Sequence, residues 1–414
     1  MAAPGFDRRV GLALISAAMR LHTPFHSRTA PLCKSMQWRE WSGYLVASCY
    51  DLSHEMEYHA IRSSAALIDV SPLYKYELRG RDALKLVNRV ITRDAAKAAD
   101  GQVMYTPWCN ERGQVLDDGT VWRLAEDHFF WTAAEPNLRW FTLNAAGLQV
   151  EIEEQSERIA ALALQGPTSR ALLSSLLTEG DVSSLPYYHC TTAKIGSIPV
   201  RISRTGYTGD LGYEVWVEAG QAERLWDRLI EGGERFDLVP SGILALDLAR
   251  VEAGLILIEV DYHPADKVLI DEQRYTPFEI GLGWAVSLKK EAFNGRQALL
   301  SEKRRGPRRK LVGLEILWED LERLYGAIGL PPQLPAITWR SQIPIYSDAE
   351  QIGKATSGCW SPTLKKSIAL ASLPPAYAAP GTSVQIEITV EGARKQAGAK
   401  VAKLPFFDPP RKRA

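Results

Sequence analysis

Apolar and polar residues alternate with a period of two along much of this chain, which is typical of half-buried strands. In residues 73–79, for example, Tyr74, Tyr76 and Leu78 alternate with charged side chains. Strands are predicted on this basis at 73–79, 103–108, 114–124, 129–133, 159–164, 194–203 and 212–217. Helical spacing predicts helices at 55–70, 82–90 and 222–232, and a further helix that Ser241 caps and Gly254 ends.

The order of these elements predicts the fold class. Strands and helices are mixed without a strict strand–helix–strand repeat, which favours an α+β architecture. The charged segment 302–310 contains glycine and proline and is typical of a linker. Beyond it, short alternating strands at 311–316, 351–356, 368–373 and 383–390 predict a small β domain.

Composition argues against several classes of protein. Lys plus Arg and Asp plus Glu both number 49 in the 414 residues, so no basic surface for nucleic acid or an anionic membrane is expected. No apolar run approaches the roughly 18 residues that a transmembrane helix needs. The five cysteines and seven histidines are scattered, which predicts a reducing, cytoplasmic location and no metal site.

The N-terminus contains one ambiguous segment. Arg8 and Arg9 precede an apolar stretch at 10–18 that resembles a short signal sequence. Arg20 follows soon after, and no clear cleavage segment is present. A frayed or helical N-terminal extension is therefore the favoured interpretation.

Residues 204–217 carry the most specific pattern: Arg-Thr-Gly-Tyr-Thr-Gly-Asp-Leu-Gly-Tyr-Glu-Val-Trp-Val. The glycines would let the backbone approach a flat ligand closely. Alternation then places Glu214 and Trp216 on one face of the following strand, where a carboxylate and an indole suit a planar ligand with donors on one edge. A hairpin loop with a solvated Glu214 is the alternative.

Asp117 and Asp118 form a second candidate feature in Asp-Asp-Gly. If the strand continues through them, their carboxylates point to opposite faces, and one is buried while the other stays in water. A plain hairpin turn is the alternative. Motifs for a serine hydrolase, a P-loop and a dinucleotide-binding fold are absent, so the chain is expected to do no redox chemistry of its own.

Seven segments, in order, resemble the glycine cleavage T-protein (aminomethyltransferase) superfamily. They are 58–62 with 69–71, 110–113 with 116–118, 163–167, 204–214, 250–254, 357–366 and 403–406. The resemblance implies two interleaved α+β subdomains around a central tetrahydrofolate-binding hole, followed by a C-terminal β-barrel. The expected divisions are an N-terminal extension at 1–54, a folate-binding catalytic region at 55–302, a linker at 303–310 and the barrel at 311–414.

The resemblance also implies an enzyme that passes an aminomethyl or methyl group from a small donor to N5 of tetrahydrofolate. By position, Asp118 is similar to the family's catalytic aspartate, which would stabilise positive charge near N5. The residues expected at the cofactor are Glu214, which would accept the pterin's paired N–H donors, and Trp284, Tyr105, Tyr207 and Arg250.

The positions at which this chain departs from the family pattern are ones where, by the resemblance, the family binds the one-carbon donor rather than the pterin. Leu246 stands where T-proteins carry Arg, and Pro72 where they carry His. These changes favour a demethylase or methyltransferase-type member, similar to relatives that act on dimethylglycine, sarcosine or a methylated sulfonium. A separate carrier or oxidoreductase protein is then an expected partner. The alternatives are an aminomethyltransferase of the glycine cleavage system and a non-catalytic folate-binding regulatory or repair protein.

Overall fold

Two sheets built largely from antiparallel strands lie within residues 65–240, and they are interleaved in sequence. The larger sheet has the strand order Leu177–Glu179, Cys190–Ile195, Ile198–Ser203, Gly212–Glu218, Ile159–Gln165, Ala65–Asp69 and Leu238–Pro240. The smaller has the order Val103–Cys109, Val115–Ala125, His128–Ala133, Tyr74–Arg79 and Glu151–Glu154. Because the whole smaller sheet lies in sequence between Ala65–Asp69 and Ile159–Gln165, the expected interleaving is confirmed.

The C-terminal region is a closed barrel of six strands. Their order is Lys310–Ile316, Lys366–Leu373, Glu350–Ser361, Ile343–Ser347, Ser383–Val390 and Ala393–Ala402. A small three-stranded sheet of Leu21–His22, Tyr44–Ala47 and Trp38–Trp41 lies near the start of the chain. The predicted α+β class with a C-terminal β-barrel is confirmed.

The computed structural model describes residues 21–414, so the ambiguous segment around Arg8 lies outside the described residues. The helices in that range are His26–Thr29, Glu55–Ser63, Ala83–Val90, Leu138–Asn144, Ser169–Leu176, Ala222–Gly233, Ile243–Glu252, Arg296–Arg305 and Trp318–Gly326. None of these combines the length and apolar character that crossing a bilayer requires. All five cysteines are free thiols.

The helix Ile243–Glu252 lies at the centre of the molecule. Every one of its residues is buried, and it packs against the helix Glu55–Ser63 and the barrel strand Glu350–Ser361. A helix that is apolar on most of its surface is suited to such a position. It therefore connects the first region of the chain to the barrel.

Two predicted boundaries were wrong. The helix predicted at 55–70 ends at Ser63, and Ala65–Asp69 is a strand that is buried on both faces. A short apolar run does not distinguish a buried strand from a helix by its periodicity. The strand predicted at 194–203 is a hairpin, because Gly196 turns the chain with φ of +59°.

The cap predicted for the central helix and the predicted linker also differ in detail from the structure. Ser241 does not cap the helix, because its hydroxyl donates to the carbonyl of Val239 at 3.0 Å. Gly242 stands at the cap position, and its N–H donates to the Glu57 carboxylate at 2.7 Å. The helix Arg296–Arg305 runs into the predicted linker, and the barrel begins at Lys310.

Candidate active site

Asp117 and Asp118 lie on the strand Val115–Ala125, which pairs with Val103–Cys109. Because side chains alternate along a strand, the two carboxylates leave it on opposite faces, as the sequence predicted. Asp117 is fully buried, whereas Asp118 is partly buried. Neighbouring carboxylates therefore have different surroundings.

Two tyrosine hydroxyls hold the carboxylate of Asp118. Tyr105 donates to Oδ2 at 2.6 Å, and Tyr262 donates to Oδ1. Burial raises the pKa of Asp118, and these two donors oppose the rise because they stabilise the ionised form. Burial, together with the charge of Asp118, raises the pKa of both tyrosines well above 10, so both keep the protons that they donate.

Asp117 accepts hydrogen bonds within its own subdomain. Its Oδ1 accepts the N–H of Asp118 at 2.7 Å, and its Oδ2 accepts the N–H of Glu135 at 3.0 Å and Nδ2–H of Asn137 at 2.7 Å. Asn137 in turn accepts from Nε1 of Trp108 at 2.9 Å. Burial raises the pKa of Asp117, and the charge of Asp118 raises it further. Asp117 thus fixes the turn that follows the strand His128–Ala133.

Glu214 lies on the strand Gly212–Glu218 in the larger sheet, and one edge of its carboxylate is anchored. The hydroxyls of Thr205 and Ser203 donate to Oε2 at 2.7 and 3.3 Å. Within residues 21–414, Oε1 has no hydrogen-bond partner. Burial raises the pKa of Glu214, while the two hydroxyl donors oppose the rise. One oxygen is thus fixed and the other is available to a ligand.

Trp216 does not share a ligand face with Glu214, which corrects one part of the sequence interpretation. Its indole is 2% exposed and lies edge-on to Trp122 and Phe130, with ring centroids 5.5 and 5.6 Å away. Those two rings belong to the smaller sheet. Trp216 therefore fills the apolar contact between the two sheets, so that Glu214 alone remains as the ligand-facing candidate on this strand.

The glycine-rich loop that precedes Glu214 is held by Gln165, which ends the neighbouring strand. Its Nε2 donates to the carbonyl oxygens of Thr205 and Tyr213 at 3.2 and 3.3 Å. Its Oε1 accepts from the hydroxyl of Thr208 at 2.8 Å. Because Gln165 is fully buried, these bonds fix both arms of the loop.

Two glycines of this loop are required by that packing. A Cβ on Gly206 would lie 2.1 Å from Oε1 of Gln165, and one on Gly212 would lie 2.3 Å from it. No side-chain carbon fits at such distances. These glycines thus serve the packing of the loop against Gln165, and the close approach of a ligand stays a prediction.

Trp284 and Tyr105 form an aromatic surface beside Asp118. Trp284 is 62% exposed, and its ring centroid lies 6.3 Å from that of Tyr105. The guanidinium of Arg93 lies 5.6 Å from the Trp284 ring centroid, and its Nη1–H donates to the carbonyl of Tyr105 at 3.4 Å. An exposed indole beside a cation offers a flat surface for stacking.

Tyr207 and Arg250 lie deeper. The hydroxyl of Tyr207 donates to the carbonyl of Ile256. Arg250 is fully buried and bonds to Asp247 at 2.9 Å and to Asp261 at 2.5 Å. Its contact with a cofactor stays a prediction, because its bonds in the structure are to the protein itself.

Arg250 also joins the central helix to the barrel. Its Nη2–H donates to Oγ of Ser357 at 2.9 Å, and the Ser357 hydroxyl donates to Asp261 at 2.5 Å. Glu252, two residues on, accepts from Tyr58 at 2.6 Å and from Ser361. Residues of two sequence motifs, at 250–254 and 357–366, are therefore hydrogen-bonded to each other where the central helix contacts the barrel.

The structure brings Asp118, Tyr105 and Trp284 together. The charge of Asp118 also adds to the burial that raises the pKa of Tyr207. Sequence reasoning missed Tyr262, Arg93 and Tyr188. Tyr188 links the two sheets: its carbonyl accepts from the N–H of Val103 at 2.8 Å, and the charge of Glu214 adds to the burial that raises its pKa. Neither Tyr262 nor Arg93 belongs to a repeating pattern, so no sequence signal identified them.

The side chains that converge at this site are not of the kind and number that usually ligate metals. Among the residues that the structure describes, no group of three or more His, Cys, Asp or Glu side chains is arranged to hold a metal ion. The residues that converge are instead carboxylates, tyrosines and one exposed indole.

Known proteins are similar to this chain over most of its length. Residues 21–290 match the family model described as GCVT N-terminal domain, and residues 327–408 match that of the glycine cleavage T-protein C-terminal barrel domain. An aminomethyltransferase of Symbiobacterium thermophilum is 38% identical over 368 residues, covering 86% of this chain and 90% of that protein. One from Bacillus subtilis is 35% identical over 361 residues, covering 86% and 91%.

A solved structure is similar over nearly the whole chain. It is the crystal structure of glycine cleavage system aminomethyltransferase T from Bartonella henselae, with a TM-score of 0.79 and 26% sequence identity. The match covers 94% of this chain and 98% of that one.

Proposed function

The chain belongs to the glycine cleavage T-protein family, and we propose that it transfers an aminomethyl group from a donor to N5 of tetrahydrofolate. The observation that carries the proposal is the carboxylate of Asp118, fixed by Tyr105 and Tyr262 beside an exposed indole. As a folate-dependent one-carbon transferase, the protein belongs to the enzyme class that the sequence predicted.

Glu214 and Trp284 are suited to hold the pterin. The pterin's 2-amino group and ring N–H form a pair of donors, and a carboxylate accepts such a pair well. Glu214 has Oε1 open to a ligand and Oε2 fixed by Thr205, so its orientation is set before binding. The exposed face of Trp284 would stack against a flat ring.

Asp118 would stabilise the positive charge that develops during the transfer. Reaction at N5 of tetrahydrofolate passes through an ammonium-like centre, and a fixed carboxylate nearby stabilises it more strongly than mobile water does. Because the hydroxyls of Tyr105 and Tyr262 hold both oxygens, the carboxylate needs little reorganisation as charge develops. It would also accept a proton from the donor nitrogen.

A second candidate is transfer of a methyl group from nitrogen, oxygen or sulfur. The observation that favours it is Leu246, an apolar side chain on the buried central helix where T-proteins carry Arg. The names of the relatives favour the aminomethyl reaction, which was the alternative in the sequence interpretation. A lipoyl carrier protein would then be the partner, and a cytoplasmic location remains the expectation.

One assay separates the candidates. The purified protein is incubated with tetrahydrofolate and either an aminomethylated lipoyl carrier protein or a panel of N-, O- and S-methyl donors. Methylenetetrahydrofolate and ammonia from the carrier support the proposal, whereas methyltetrahydrofolate from a methyl donor supports the second candidate. Asp118→Asn is the negative control. Folate binding without turnover of any donor would overturn both and indicate a binding protein.

A further inference from the structure

Three separate segments of the chain converge at Asp247. Asp247 lies on the central helix, Arg39 on the strand Trp38–Trp41, and Arg340 in the segment before the barrel strand Ile343–Ser347. Oδ2 of Asp247 accepts from Nε of Arg340 at 2.8 Å, and its Oδ1 accepts from Nε of Arg250 at 2.9 Å. Both oxygens of this carboxylate are therefore occupied.

Arg39 has no partner of this kind. Its backbone pairs with Val46 of the neighbouring strand, but within residues 21–414 the Nη1 of its side chain is buried without a hydrogen-bond partner. The strand that carries Arg39 pairs with Tyr44–Ala47, and the carbonyl of the following residue, Ser48, accepts from the N–H of Leu244 on the central helix at 2.9 Å. Burial lowers the pKa of Arg39, the positive charge of Arg340 lowers it further, and Asp247 raises it. A buried, unpaired guanidinium nitrogen is costly, so an anionic partner would stabilise it.

The ion pairs at this place involve only two of the three arginines. Arg250 bonds to Asp247 and Asp261, and Arg340 bonds to Asp247, whereas Arg39 has an ion pair with neither carboxylate. A guanidinium matches a carboxylate in planar geometry and binds it through two parallel N–H donors.

This place also adjoins the site of reaction. Asp261, which accepts from Arg250, is followed in the chain by Tyr262, whose hydroxyl donates to Asp118. The arginines bonded to Asp247 and Asp261 therefore adjoin the residues that hold Asp118.

We propose that Arg39 and Arg340 form a binding site for a carboxylate carried by a substrate of this enzyme, a proposal that rests on the one-carbon transfer described above. Two sources offer that group. One is a small donor with a carboxylate, such as an N-methylated amino acid, and the other is the glutamyl tail of tetrahydrofolate.

Binding measurements test the site independently of turnover. Calorimetry compares wild-type protein with Arg39→Gln and Arg340→Gln, using tetrahydrofolate against 6-methyltetrahydropterin, which lacks the tail, and N-methylglycine against methylamine, which lacks the carboxylate. Arg394→Gln, an exposed arginine of the barrel, is the matched control. Arg39→Lys keeps the charge but loses the planar fork, so it tests the site if the Gln variants fold poorly.

We expect each Gln variant to bind one carboxylate-bearing ligand about 10- to 100-fold more weakly, with the matching ligand without a carboxylate unaffected. The pair of ligands that shows this loss identifies whether the bound carboxylate belongs to the small donor or to the glutamyl tail of tetrahydrofolate. Equal affinities in all variants, or equal losses with and without the carboxylate, would overturn the site. Because binding alone is measured, a protein that binds normally but turns over no donor would refute the proposed function and leave the site standing.

Discussion

Asp117 and Asp118 are adjacent in the chain, but their carboxylates lie on opposite faces of one strand and have different partners. Asp118 is held by two tyrosine hydroxyls, and Asp117 by two backbone N–H groups and an amide. The first arrangement leaves a carboxylate beside an exposed aromatic surface, and the second buries one inside a subdomain. The two residues should therefore fail in different ways when they are replaced.

Asp118→Asn should lower turnover by about 10²- to 10⁴-fold, because an amide neither carries the negative charge nor accepts the proton. Tetrahydrofolate affinity should stay near that of the wild-type protein, since the carboxylate acts on the reacting nitrogen. Steady-state kinetics and calorimetry measure the two quantities. Loss of affinity equal to the loss of turnover would place Asp118 in binding rather than catalysis.

Asp117→Asn should instead cost about 1–3 kcal/mol of unfolding free energy. An amide has one acceptor oxygen where the carboxylate has two, so one donor among the N–H groups of Asp118, Glu135 and Asn137 would lose its acceptor. Urea denaturation measures the stability. Turnover per folded molecule should change far less than in Asp118→Asn, and the reverse ranking would show that the roles are exchanged.

Tyr105→Phe and Tyr262→Phe should shift the acid limb of the kcat/KM profile to higher pH. Burial already raises the pKa of Asp118, and the two hydroxyls oppose that rise, so removing either donor raises the pKa further. Activity needs the ionised carboxylate and is lost as pH falls through this pKa. A shift of about one pH unit means that the ionised carboxylate has lost about 1.4 kcal/mol of stabilisation relative to its protonated form.

The control for this shift is Tyr346→Phe, which removes a hydroxyl that donates to Glu387 at 3.2 Å on the barrel. Its profile should match that of the wild-type protein. An acid limb that moves to lower pH in either active-site variant would contradict the role assigned to the two tyrosines.

The opposite faces of Asp117 and Asp118 could be predicted from sequence because they follow from strand alternation, and the structure agrees. The family and the enzyme class came instead from seven motifs in the expected order, and both are confirmed. Tyr262 could not be found, because it lies in an irregular segment where no period relates neighbouring side chains. The role of Trp216 was misassigned, since alternation gives the face of a side chain but not what packs against that face.

Glu214→Ala should weaken tetrahydrofolate binding by about 1.5–3 kcal/mol, the usual worth of a charged hydrogen bond. Glu218→Ala is the matched control, because Glu218 ends the same strand on the same face and is exposed. Calorimetry with tetrahydrofolate measures both variants. Equal affinities in the two would remove Glu214 from the proposed pterin contact.

Gln165→Leu should loosen the loop that presents Glu214 without touching a ligand. Leu keeps most of the side-chain volume but removes the bonds to Thr205, Tyr213 and Thr208, and leaves buried groups without partners. The variant should lose about 1–3 kcal/mol of stability. Because Thr205 also orients Glu214, tetrahydrofolate affinity should fall as well, while kcat at saturating folate should change little.

A variant that only destabilised the protein would not show this split between affinity and kcat, so the kinetic comparison separates a positioning role from a purely structural one. Gln149→Leu, a glutamine on the turn before the strand Glu151–Glu154, is the control because its side chain makes no hydrogen bond within the described residues. Hydrogen exchange of residues 205–213 should quicken in Gln165→Leu alone. Unchanged exchange together with lowered affinity would show that Gln165 does not act by holding this loop.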